Sequence, residues 1–449
     1  MALVMALLLA GCSPSSPPPS RAAATVTVAL PPIRTFPTRP AAPPLRANAD
    51  IARDFLDLHF RMEGGSTLPV LTRFETPVTV ALTGAVTPTL RPDLESLLAR
   101  LRGEAGIDIR LAATGTPGAI TIEAVSRDRI QRVLPQAACF VVPNVSSLEE
   151  YRHNRNAAQT DWKALRSRDR LAIFVPNDVS PQELRDCLHE ELAQALGPLN
   201  DLYRLPDSVF NDDNVHAVLT GFDMLILRAT YDPALRTGLS RAEVAARLPA
   251  LLARLNPGGE GRTPAPLPET PRAWIKAVET ALGPTANDSE RLRAAHAAAR
   301  IARDEGWKDH RRAFGHFLLG RAQQAGNPAL AQAHFRTALS YLGAGRDLAG
   351  HRALIQSRLA AAALTAGDLD RAEALLARAI PAAETGQNAA LLSTLLMLKS
   401  HLADLRGLSR EAAVLRSDSI GWALYGMGTE ATVDSQLREV AAGSGGLMR

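Results

Sequence analysis

Between Pro181 and Asn214, in the stretch PQELRDCLHEELAQALGPLNDLYRLPDSVFNDDN, oxygen-bearing side chains recur at short spacing: Glu190, Glu191 and Gln194, then Asn200 and Asp201 beyond Gly197. The helical period puts Glu190 and Gln194 on one face, a turn apart. Carboxylate and amide oxygens suit a hard divalent cation, so Glu190 and Asp201, with Asp212 or Asp213, fit such an ion better than zinc, which prefers imidazole and thiolate. Plainer uses exist for the same groups. Glu190 and Glu191 read equally as the solvated face of an amphipathic helix that buries Leu184, Leu188, Leu192 and Ala195. Gln194, Asn200 and Asp201 read as turn formers after the glycine. A third reading is a hydrogen-bonded polar cluster that holds the loop, since buried polar groups need partners. His189 has Ala193 at i+4 and points off the Glu190 face, and His216 reads as a structural histidine.

The elements that must position this stretch form an α/β pattern. Ile51 to Leu58 has helical spacing, Arg73 to Leu82 alternates like a strand, and Pro88 to Gly103 places Leu94, Leu97, Leu98 and Leu101 on one helical face. Ile107 to Leu111, Ala119 to Ala124 and Leu171 to Pro176 read as further strands, so a small mixed sheet with helices is expected. The polar segment Val145 to Arg170 reads as a surface loop, or as a lid that contacts a ligand.

Residues 257–272 are rich in Pro and Gly and read as a linker. Beyond them the chain is rich in Ala and Leu. Gly326 with Ala331, Gly367 with Ala372 and Gly407 with Ala412 share a Gly-x-x-x-x-Ala pattern, a repeat of helix, turn and helix. Small alanines allow paired helices to approach closely.

Composition bounds the rest. With 449 residues, 46% apolar and 21% charged, the chain is long enough for two or three folded domains. A net charge of +4, with arginines scattered rather than clustered among aromatics, excludes a nucleic-acid footprint. Ala2 to Ala10 is apolar but too short to span a bilayer. Ser13 to Arg46 is rich in Pro, Ser and Ala, and reads as an extended tether.

Four resemblances add to this. Leu9-Ala10-Gly11-Cys12 resembles the lipidation site of bacterial lipoproteins, although no basic residue precedes the apolar run. It implies a thioether-linked lipid on Cys12 and a periplasmic protein held at a membrane face; Ser13 in the next position favours the outer membrane. In that oxidising compartment Cys139 and Cys187, an even pair, are expected as a disulfide.

The helix that ends at Gly197 resembles the metzincin zinc proteases, in which His-Glu-x-x-His-x-x-Gly-x-x-His supplies three ligands and a general base. Aligned on Gly197, that motif puts Glu190, Gln194 and Asn200 at ligand positions, with Asp201 next, and Glu191 at the base position. Ser208, Phe210 and Asn211 fall where the methionine turn passes beneath the metal, and Leu219 to Tyr231 resembles the final helix. All the nitrogen ligands are replaced.

Residues 48–256 as a whole also resemble a proteobacterial lipoprotein family known only as domain of unknown function 2927. The glycine-aligned helices resemble a tetratricopeptide array, longer in period and without its full consensus, which implies a protein or peptide partner.

The expected organisation is a signal peptide at 1–12, a disordered tether at 13–47, a degenerate metzincin-like α/β domain at 48–256, a linker at 257–272 and an all-α helical-repeat domain at 273–449. The expected function is binding or scaffolding at the cell envelope, without catalysis and without a required cofactor. A metal-dependent peptidase that uses a divalent cation and Glu191 as general base is the alternative.

Overall fold

In the computed structural model the described residues are 30–428, apart from 212, 214 and 284. The signal peptide, Cys12 and the first part of the tether lie outside them. The N-terminal half holds α1 (Asn48–Phe60), β1 (Val78–Gly84), α2 (Leu90–Ala105), β2 (Ile109–Leu111), β3 (Ile120–Val125), α3 (Arg127–Gln131) and β4 (Phe140–Pro143). Then come α4 (Leu148–Asn154), β5 (Leu171–Pro176), α5 (Pro181–Leu196), α6 (Gly221–Thr230) and α7 (Arg241–Leu255).

The five strands make one mixed sheet in the order β2-β1-β3-β5-β4, with β2, β1, β3 and β5 parallel and β4 an antiparallel edge. Pro77 cannot donate to a ladder, so β1 starts at Val78 instead of Arg73. β5 is buried along its whole length, as its unbroken apolar run requires. Leu171, Ile173 and Val175 join a large core with α1, α2, α5, α6 and α7, while Ala172 and Phe174 pack on the other face with Ile130 and Leu148.

Among the described residues the C-terminal half is all helical: α8 (Arg272–Leu282), α9 (Asp288–Asp304), α10 (His310–Gln323), α11 (Pro328–Tyr341), α12 (Ala349–Thr365), α13 (Leu369–Thr385), α14 (Ala389–Leu405) and α15 (Ser409–Gly426). The Gly-x-x-x-x-Ala repeats mark the hairpins α10/α11, α12/α13 and α14/α15, with Ala331, Ala372 and Ala412 buried against the preceding helix of each pair. Gly367 and Gly407 have φ of +75° and +76°, the left-handed conformation that closes these turns without strain. No helix among the described residues is long and apolar enough to cross a membrane.

Two connecting segments differ from expectation. Residues 31–47, read as part of a disordered tether, form an extended strap held at many points. Arg34 N–H bonds the Gly421 carbonyl at 3.0 Å, Phe36 stacks on Trp422 at 4.3 Å, Ala41 N–H bonds Glu104 at 2.9 Å, and Arg46 pairs with Asp54 at 2.6 Å. An extended proline-rich backbone leaves its polar groups free for such contacts, and the aromatic and arginine side chains anchor them. Ala42 presses so closely on Gly221 that a Cβ there would lie 1.8 Å from the Ala42 carbonyl oxygen. The 257–272 connector is likewise packed: Asn48 bonds Glu260 at 2.6 Å, Ala265 N–H bonds Asp50 at 2.8 Å, and Arg311 bonds the Pro268 carbonyl at 2.8 Å. From Pro31 onward the described residues form one compact unit.

Candidate functional site

The predicted stretch folds as expected locally. Ser180 accepts a hydrogen bond from Glu183 N–H and Pro181 occupies the first turn of α5, both ordinary helix starts. The helix ends at Gly197 and the chain turns back: Leu199 N–H bonds the Leu58 carbonyl at 2.8 Å. The signal for what enforces this turn lay elsewhere. Arg168 is buried, and its guanidinium donates to the carbonyls of Gln194, Ala195 and Gly197 at 2.5, 2.7 and 2.6 Å, and to Thr72 at 3.1 Å. A cation over these C-terminal carbonyls also opposes the negative end of the helix dipole. Burial pulls the Arg168 pKa down to about 10, still charged at neutral pH. The polar 145–170 segment is therefore neither a simple surface loop nor a lid throughout: it contains α4 and ends in a buried structural arginine.

The structure brings only some of the proposed ligand positions together. Gln194 Nε2 donates to Asp201 at 3.2 Å across the turn, whereas Asn200 turns away and donates to the Asp57 carbonyl on α1 at 3.1 Å. Glu190 is half-buried and Glu191 is buried, with 6% exposure. Among the described residues, no group of three or more His, Cys, Asp or Glu side chains is arranged to hold a metal ion. Asp212 lies outside the described residues. Asn200, committed to α1, does not join Gln194 and Asp201 at a shared site.

The turn beneath the helix is built on α6. Asp223 accepts from Ser208 Oγ at 2.6 Å, from Val209 N–H at 3.2 Å and from Thr220 N–H at 2.7 Å, while Phe210 is fully buried and its N–H bonds Ser208 Oγ. Burial raises the Asp223 pKa against these donors. Asn211 donates to the Leu205 carbonyl at 2.6 Å and to Asp213 at 2.9 Å. His189 accepts from Leu219 N–H through Nδ1, so its proton sits on Nε2; burial and the nearby Arg185 and Arg100 hold its pKa well below the usual histidine value. His216 bonds the Pro206 carbonyl at 3.1 Å. Each histidine is thus hydrogen-bonded to backbone, His189 to Leu219 N–H and His216 to the Pro206 carbonyl.

Further contacts lock this loop in place. Arg204 donates to Asp54 at 2.7 Å and to Asp57 at 2.8 Å, all three buried. Burial pushes the Asp54 carboxyl up, but Arg46, Arg204 and Arg53 override it and hold the pKa below the usual range. Cys139 and Cys187 form the expected disulfide, with Cα atoms 5.9 Å apart, tying the start of β4 to α5.

The open chemistry lies beside this stretch, between the two halves. Gln182 at the start of α5 accepts from Ala390 N–H at 3.0 Å, and Arg185 donates to the Gln387 carbonyl at 2.5 Å. Asp213 pairs with His351 at 2.7 Å, which holds the Asp213 carboxyl low although burial alone would raise it. His310 donates to the Tyr203 carbonyl at 2.8 Å. Next to these contacts a cavity of about 900 Å³ opens, walled by residues 39–44 of the strap, by Asp207, Asp213, Val215, His216 and Val218 to Phe222 of the loop and α6, and by α10, α12, α13 and α14. Glu190, Glu191, Gln194, Asn200 and Asp201 do not line it.

On its helical wall, Gly350, Leu354 and Arg358 form one ridge of α12, facing Phe314, Phe317 and Arg321 of α10. Arg358 is the functional candidate that sequence reading missed. The only available signal was a single arginine, after Gln356 and Ser357, in the mostly apolar stretch of α12 from Leu354 to Leu364.

Residues 48–250 match a family model described as "Protein of unknown function (DUF2927)". No curated protein and no solved structure matches the chain.

Proposed function

We propose that this is a lipid-anchored binding or scaffolding protein of the cell envelope, held through Cys12 at the periplasmic face of the outer membrane. Its mixed-sheet half is a degenerate metzincin-like domain that no longer grips a metal, and its helical half is a tetratricopeptide-like array. The observation that carries the reading is the cavity of about 900 Å³ shared by the two halves, whose size and walls of mixed apolar and charged side chains suit a ligand site. In this reading the former catalytic helix has become a wall support: it ends under Arg168, and its first two turns dock the helical half through Gln182 and Arg185.

The test is affinity capture from solubilised envelope with the full chain, compared with a variant that fills the cavity, Ala383→Trp. Capture by the wild type that is lost in a folded variant supports the proposal. Equal capture by both sinks the cavity as the binding site. Acyl labelling of the native chain but not of Cys12→Ala tests the anchor separately.

A further inference from the structure

The strongest feature of the cavity is an uncompensated charge. Arg358 is 5% exposed, lines the cavity, and makes no hydrogen bond or ion pair with any described residue; its Nε is buried without a partner. Leaving a buried guanidinium unpaired is strongly unfavourable, and a counter-charge from outside the chain would relieve that cost. Burial and the neighbouring Arg321 lower the Arg358 pKa to about 9, which leaves it protonated at neutral pH.

The acidic groups on the cavity wall are otherwise occupied or placed elsewhere. Asp207 pairs with Arg46 at 3.2 Å, Asp213 with His351 at 2.7 Å, and Glu183 with Arg127. Asp347 stands at the strap end, beside Asp207, Arg346 and Arg46. Of the other cationic groups on the wall, Arg100 is bonded to Glu104 and to the Leu219 carbonyl, and Arg346 to the Pro43 carbonyl. The same cavity wall carries Arg321, a second cation near Arg358, and the apolar side chains Leu354 of the same ridge, Phe314 and Phe317 of α10, and Leu391 of α14.

We infer that the cavity binds a small amphipathic acid, a carboxylate on an apolar body, with the carboxylate against Arg358 and the body along Phe314, Phe317, Leu354 and Leu391. The inference rests on the binding reading above and gives it a ligand class. The guanidinium fork matches the two oxygens of a carboxylate, and a low-dielectric setting strengthens the pairing.

The experiment titrates the full chain, freed of bound lipid, with dodecanoate and with the uncharged dodecanol, by calorimetry. The expected result is that the acid binds at least tenfold tighter than the alcohol, and that in Arg358→Gln this ratio falls to less than threefold. Arg358→Gln removes a buried unpaired charge, so its thermal unfolding is expected at or above that of the wild type, which checks that the variant is folded. The wild-type ratio needs no variant and stands as a test by itself. Equal binding of acid and alcohol by the wild type overturns the anion site while leaving the cavity as a binding site. An unchanged ratio in folded Arg358→Gln overturns the role of this residue. Absence of binding by both probes overturns the inference, and the capture experiment then decides the cavity reading independently.

Discussion

Arg168 donates to the carbonyl oxygen of Gly197 at 2.6 Å, so a residue from the segment before β5 closes the helix that follows that strand. Removing it leaves the carbonyls of Gln194, Ala195 and Gly197 without this donor in a buried site. Arg168→Ala is expected to lower stability by about 3 kcal/mol, read as a lower urea midpoint, because hydrogen bonds to charged groups contribute about 1.5–3 kcal/mol each and are not additive. Arg168→Lys is expected to recover only part of the loss, since one ammonium cannot replace the planar fork.

Arg204 carries the counter-charge for two buried carboxylates, Asp54 and Asp57. Arg204→Ala is expected to destabilise by about 3–5 kcal/mol, the range for breaking a buried pair from one side. Chemical denaturation measures it; a loss below 1 kcal/mol would mean that Arg46, Arg53 and Arg241 suffice.

The Cys139–Cys187 disulfide spans a sequence separation of 48 residues. Chain entropy gives about 4 kcal/mol for such a loop, so the double alanine variant is expected to lose between 2 and 4 kcal/mol and to become insensitive to reductant. Thermal unfolding with and without dithiothreitol reads both effects.

His310 donates to the Tyr203 carbonyl across the junction, and burial, with His351 nearby, holds its pKa down to about 4. Between pH 6.5 and about 4 the unfolded chain binds a proton that the folded chain refuses, so stability rises with pH in that window and is lost as pH falls through it. The stability difference between wild type and His310→Gln is expected to change with a slope of up to about 1.4 kcal/mol per pH unit there, and to be flat above pH 7. His59, held down to about 3 by burial, acts in the same direction and cancels in that comparison.

Chelation is expected to leave the unfolding temperature unchanged, and Glu191→Gln to leave any background cleavage of unfolded protein substrates unchanged. Stoichiometric metal in the purified chain, with cleavage abolished by that substitution, would restore the hydrolase reading.

The sequence carried the short-range facts. The bounds of α5, the break at Gly197 and the repeat hairpins follow from apolar period, caps and glycines, which act within a turn or two. The disulfide was expected from the pair of cysteines left once Cys12 is read as lipidated, in the oxidising compartment which that reading implies. What stayed hidden is long-range. Nothing in the spacing pairs Arg204 with Asp54, 150 residues earlier, or sets Asp213 against His351, 138 residues later. β4 was missed because four residues of edge strand, Phe-Val-Val-Pro, are too few to show alternation. Arg358 could not be singled out, because what distinguishes it is the lack of a partner, a property of the assembled walls.

The strap has a mechanical side. A pull from the N-terminal direction reaches α15 first, through the Arg34 to Asp418 ion pair and the Phe36 to Trp422 stack, before it can load Ala42 over Gly221. Ala42 is also part of the cavity wall. Tension on the strap would therefore load α15 before it reached the cavity wall, so the order of release follows the order of contacts along one thread of backbone.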